Sequence, residues 1–88
     1  MVTVTLYGPV RDAVGEKRLS AEGETVGDVL ETLTSDYPTV GERVLADGEV
    51  RGQVQIFVDG RKIGPLGGLE TPLDGVDTVQ ITEAMSGG

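Results

Sequence analysis

The chain has 88 residues and a net charge of −8, from 15 acidic and 7 basic residues, with neither cysteine nor histidine. One small domain with one modest core is all this length allows, and the missing Cys and His exclude disulfides, thiolate nucleophiles, Cys/His metal sites and the commonest general base. So negative a surface repels nucleic acid and anionic lipid, and no apolar run approaches the roughly 20 residues of a membrane helix; neither partner is expected.

VTVTLY (2–7) alternates, with Val2, Val4 and Leu6 on one side and Thr3, Thr5 and Tyr7 on the other, which predicts a half-buried strand. No charged stretch precedes an apolar one here, so no secretory signal is read and the expected compartment is the cytoplasm. Gly8-Pro9 punctuates the strand, and VRDAV (10–14) reads as an irregular turn or one-turn helix before Gly15. EKRLSAE (16–22) predicts a returning antiparallel strand with Leu19 and Ala21 inward.

The clearest helix is ETVGDVLETLTSDYP (24–38). Val26, Val29, Leu30 and Leu33 fall at i, i+3, i+4, i+7 and form one apolar stripe. Thr25 stands at the N-cap, with Asp28 three residues on. Tyr37-Pro38 stops the helix, because a residue before proline avoids the helical region. Residues 39–52 read as a connector, with a helical turn around Arg43 to Leu45 and a turn at Asp47-Gly48. QVQIFVDGRKI (53–63) predicts a strand and hairpin through Asp59-Gly60. A turn-rich stretch (64–77) follows, anchored by Leu69 and Leu73, and TVQIT (78–82) is a last strand. The order predicts an α+β roll, a mixed sheet with one main helix packed across it: a domain over 1–82 and a flexible tail over 83–88.

Few side chains point to chemistry. The glycines at 64, 67 and 68 lack the Lys-Ser/Thr of a phosphate loop and lead into no helix, so they read as turn. Asp74 with Asp77, and Asp47 with Glu49, do not fit calcium-loop spacing and read as a solvated acidic face. Phe57, the only Phe, is read either as an apolar spot that a partner covers or as part of the packing.

The terminus is more informative. Gly87-Gly88 is an uncommon ending by chance, even with 14 glycines. A carboxylate becomes an acyl donor only after activation, for instance as an acyl-adenylate. Two residues without Cβ can pass through a narrow channel to an enzyme's ATP and leave the carbonyl open to attack. Activated, it can take up sulfur as a thiocarboxylate or acylate a lysine amine.

In this light, the segment from Tyr7 to Gly15, the helix Thr25 to Leu33, the hairpin Phe57-Val-Asp-Gly-Arg61, the segment Leu73 to Val79 and the final Gly87-Gly88 resemble the ubiquitin-like β-grasp proteins of the molybdopterin-synthase small-subunit and sulfur-carrier type, in particular the small archaeal modifiers of haloarchaea. The resemblance implies a β-grasp roll that binds no cofactor itself. It implies that Gly88 is adenylated by a ubiquitin-activating-type adenylyltransferase using ATP and Mg²⁺, with Gly87 and Ser86 read as the tail the enzyme recognises. The product is expected to modify lysines of target proteins or to carry sulfur for molybdopterin or tRNA thiolation, and the chain itself is no enzyme. Molybdopterin synthase's large subunit and a deconjugating metalloprotease are further implied partners. Lys17 and Lys62 are read as chain acceptors or as plain surface residues. Where sulfur carriers of the family often have an aromatic and a Pro-Pro pair, this tail reads Glu83-Ala84-Met85-Ser86. Val76, an extra residue between Gly75 and Asp77, predicts a bulged final turn. A non-covalent interaction module, its glycines a frayed end, is the reading from another class. Dispersed acid with scarce lysine fits a salt-rich cytoplasm as well as an ordinary acidic domain.

Overall fold

The computed structural model describes residues 2–64, 67–73 and 78–84. The bulged turn expected at Val76 lies outside them, as do Ser86, Gly87 and Gly88.

The first strand, β1 (Val2–Tyr7), buries Val2, Val4 and Leu6, as its alternation requires. A six-residue helix, α1 (Pro9–Val14), follows; proline suits its first turn, and Gly15 at φ 86° closes it. β2 (Arg18–Ala21) returns antiparallel to β1 with Leu19 and Ala21 buried. The main helix, α2 (Val26–Asp36), is capped by Thr25, whose hydroxyl accepts from the Asp28 N–H at 3.2 Å. Its start is also held by a neighbouring segment, since the Val26 N–H donates to the Thr71 carbonyl and the Leu73 N–H to that of Glu24. All four stripe residues, Val26, Val29, Leu30 and Leu33, are buried.

The connector expected over 39–52 is instead a helix and a hairpin. Pro38 ends α2 and begins α3 (Pro38–Val44), occupying the first turn, where its missing N–H costs nothing. Val40 and Val44, four residues apart, are fully buried. β3 (Leu45–Ala46) and β4 (Glu49–Val50) pair across Asp47 and Gly48, both at positive φ. A second hairpin joins β5 (Val54–Val58) to β6 (Arg61–Lys62) through Asp59 (φ 50°) and Gly60 (φ 84°), the backbone such two-residue turns need. A 3-10 turn (Gly68–Glu70) precedes β7 (Thr78–Glu83). Leu73 is buried and Leu69 packs against the core from a half-buried position.

The five-stranded sheet runs β2-β1-β7-β5-β6, with β7 parallel to β1 and antiparallel to β5. The inward residues of β1, β5 and β7 meet α1, α2 and α3 in one cluster of Val, Leu and Ile. Each such side chain contributes about 1.5–3 kcal/mol when fully buried. One face of the sheet is covered by helix and the other is left to solvent, so the last described strand runs through the middle of the molecule with its end at an edge of the core.

Candidate functional site

β7, the last described strand, is held on both sides: Tyr7 of β1 lies opposite Thr82, and Val54 of β5 opposite Glu83. The strand runs one residue further than the expected 78–82, ending at Glu83. Along it Val79, Ile81 and Glu83 share the core-facing parity, so a carboxylate follows two aliphatic side chains into the protein.

That carboxylate is fully engaged. Arg43 on α3 approaches it as a fork, Nε donating to Oε1 at 3.3 Å and Nη2 to Oε2 at 3.1 Å. Gln53, just before β5, donates its side-chain N–H to Oε2 at 3.4 Å. The Glu83 side chain is 5% exposed and that of Arg43 40%. The next residue is fixed as well, because the Ala84 N–H donates to the Gln53 carbonyl at 2.8 Å. Gly8 completes the site from the corner between β1 and α1. A Cβ there would lie 2.5 Å from the Glu83 carbonyl oxygen, so only glycine lets the two backbones come this close.

Sequence reading missed Glu83, Arg43, Gln53 and Gly8 as a group. A usable signal existed: extending the parity of Val79 and Ile81 by two puts an acid where the core should be, and a buried acid implies a cation nearby. Partners 40 and 30 residues away in the chain give no local pattern to identify them.

Phe57 lies on the solvent side of the sheet and is half-buried. It belongs to a row crossing all five strands, Arg18–Thr5–Gln80–Phe57–Lys62. A second row, Tyr7–Thr82–Gln55, runs beside the base of the tail. Neither row holds an acid, in a chain with 15 of them. Lys62 ends the first row on the edge strand β6; Lys17 precedes β2 at the opposite edge, its carbonyl accepting from the Leu6 N–H. Both are exposed, and the only ion pair among the described residues is Arg43–Glu83.

The model for the ThiS family matches residues 4–88. The chain belongs to the ThiS family. Two curated relatives bracket this ThiS-family chain in character. Small archaeal modifier protein 3 of Haloferax volcanii is 34% identical over 85 residues, covering 93% of this chain and 92% of that protein. Sulfur carrier protein CysO of Mycobacterium tuberculosis is 34% identical over 91 residues, covering 99% and 98%. Among solved structures, the crystal structure of the Amycolatopsis orientalis BexX/CysO complex contains a chain matching this one with TM-score 0.87, 28% identity and full coverage of both. The β-grasp fold expected from the sequence is therefore the fold observed.

Proposed function

We propose that this ThiS-family chain is a ubiquitin-like modifier, activated at the Gly88 carboxylate and joined to lysines of other proteins. The observation that carries the reading is the kinship with an archaeal modifier protein over 93% of the chain. A carboxylate oxygen of Gly88 attacks the α-phosphorus of Mg²⁺-bound ATP on a ubiquitin-activating-type enzyme and displaces pyrophosphate. A lysine amine then attacks the acyl carbon of the adenylate, AMP leaves with the bonding electrons, and loss of a proton from nitrogen yields the isopeptide. Nothing in this sequence of steps needs a His or Cys from the carrier. The enzyme docks on the acid-free rows beside the tail, where Tyr7 and Phe57 offer aromatic surface, and Ser86 and Gly87 thread the channel. The cytoplasm, where ATP is available, is the compartment this implies.

Equal kinship with a sulfur carrier favours a second use of the same activation. If hydrosulfide-level sulfur rather than an amine displaces AMP, Gly88 becomes a thiocarboxylate. That product serves an acceptor such as molybdopterin synthase's large subunit or a tRNA thiolation enzyme. Modifier use additionally implies a deconjugating metalloprotease.

Proteolysis separates the readings. Trypsin finds no site after Lys62, so a modified target keeps a branch of residues 63–88; cutting after Glu83 leaves the short tag AMSGG on lysine. Tagged lysines that disappear on deleting Gly87-Gly88 are the expected result, and tags on Lys17 or Lys62 would identify chains. Intact mass showing one oxygen replaced by sulfur, with no tags, would leave the carrier alone. A cell indifferent to the deletion would reduce the protein to a non-covalent module.

A further inference from the structure

Glu83 is the only charged residue buried among the described ones, and it sits one residue before the root of the reactive tail. Stability does not account for it. A leucine there would extend the stripe of Val79 and Ile81, and the donors it leaves behind, Arg43 at 40% exposed and Gln53 at the surface, can turn to water rather than stand buried and unpaired. What the carboxylate supplies is fixed geometry. Arg43 engages both of its oxygens and Gln53 one of them, Gln53 also holds the Ala84 N–H, and Gly8 yields space to the Glu83 carbonyl. Three separate parts of the fold converge on two consecutive residues.

We propose that Glu83, with Arg43 and Gln53, positions the tail: it fixes the point and direction from which Ala84–Gly88 leaves the sheet toward the activating enzyme's nucleotide. The inference rests on the activation of Gly88 proposed above. With the root held, the five residues from Ala84 to Gly88 can carry the carboxylate at most about 17 Å. The enzyme then meets a short tether of defined origin, and the reacting oxygen spends more of its time near the α-phosphorus. Releasing the root would widen the volume the carboxylate searches without altering the sheet face on which the enzyme docks. The signature is a loss in kcat with KM preserved.

The experiment uses the intact chain, its cognate activating enzyme and MgATP, with ATP–pyrophosphate exchange measured against carrier concentration. Glu83→Leu is the informative variant, since it removes the fork while keeping the position filled. Its thermal midpoint should equal or exceed that of the wild type, and exchange of the Ala84 amide hydrogen should quicken. Its kcat should fall by about fivefold to tenfold with KM within about twofold. Glu83→Gln, which keeps one acceptor oxygen for Arg43 but turns an amide N–H toward the other donors, should recover only part of the loss, and Arg43→Ala, compared at equal folded fraction, should reproduce it. Unchanged kcat in Glu83→Leu overturns the inference, as does a loss confined to KM or one that follows the thermal midpoint. A wild-type chain inert to the enzyme instead overturns the proposed function on which the inference rests.

Discussion

Gly8 has φ 77° and ψ −154°, a backbone region open almost only to glycine, where a side chain costs about 1–3 kcal/mol. It also faces the Glu83 carbonyl oxygen, which a Cβ would approach to 2.5 Å. Both effects act in Gly8→Ala, so the substitution should destabilise the fold by about 2–4 kcal/mol. Gly48 gives the comparison: its φ of 80° is equally left-handed, yet nothing lies within 4 Å of its missing Cβ. Gly48→Ala should lose only the conformational part, about 1–2 kcal/mol. Urea unfolding of the two variants measures the difference, which combines the close approach to the Glu83 carbonyl with the costlier backbone region of Gly8. Equal losses would mean that β7 shifts to admit the methyl group and that the approach constrains nothing.

Between elements, the junction of α2 with α3 turns on one pair. A Cβ on Gly41 of α3 would lie 2.7 Å from the Thr34 methyl of α2 and 3.1 Å from its hydroxyl oxygen. Threonine is branched at Cβ and cannot swing aside cheaply. Alanine is nevertheless the better helix former by about 1 kcal/mol, so the sign of Gly41→Ala depends on Thr34. Alone it should destabilise by about 1–2 kcal/mol; in a Thr34→Ala background it should stabilise by up to about 1 kcal/mol. A double-mutant cycle by thermal unfolding checks the reversal, and additive effects would refute the packing argument. The same junction shows what local sequence conveys. α2 is legible because cap and stripe lie within a few residues of one another, and the β5–β6 hairpin because Asp59-Gly60 names its turn; at Asp47-Gly48 the turn is legible but the two-residue strands beside it are not. α3 is not. Its seven residues include a mid-helix glycine and β-branched Thr39 and Val40, all weak helix formers, and its first residue reads equally as the end of α2. Packing of Val40 and Val44, not propensity, makes it helical. The tail root was hidden for a related reason: its groups meet only through the folded sheet.

At the scale of the whole molecule, the chemistry proposed for the terminus belongs to the main chain and rests on the absence of side chains, whereas charge acts everywhere at once. Fifteen acids against seven bases leave −8 on a body whose Cα radius of gyration is 11.7 Å. At low ionic strength these charges repel over about 10–30 Å, comparable to the molecule itself; at roughly 1 M salt the range falls to about 3 Å. Unfolding spreads the charges, so screening removes a repulsion that the compact state feels more. The Arg43–Glu83 pair works in the opposite sense, since salt weakens attraction too, but with the carboxylate 5% exposed it is screened far less than the surface acids. Raising KCl from about 0.05 M to about 1 M should therefore raise the thermal midpoint. If the relieved repulsion is worth about 1 kcal/mol, the rise is about 4–8 °C for a domain of this size. Sucrose, excluded from the surface but uncharged, separates screening from a general solvent effect. A charge-neutralised variant, with exposed Glu16, Glu31 and Asp36 changed to their amides, should start higher in dilute buffer and gain less from KCl. If that variant gains as much as the wild type, salt acts through hydration of the folded surface, and the acidity of this chain is not what ties its stability to ionic strength.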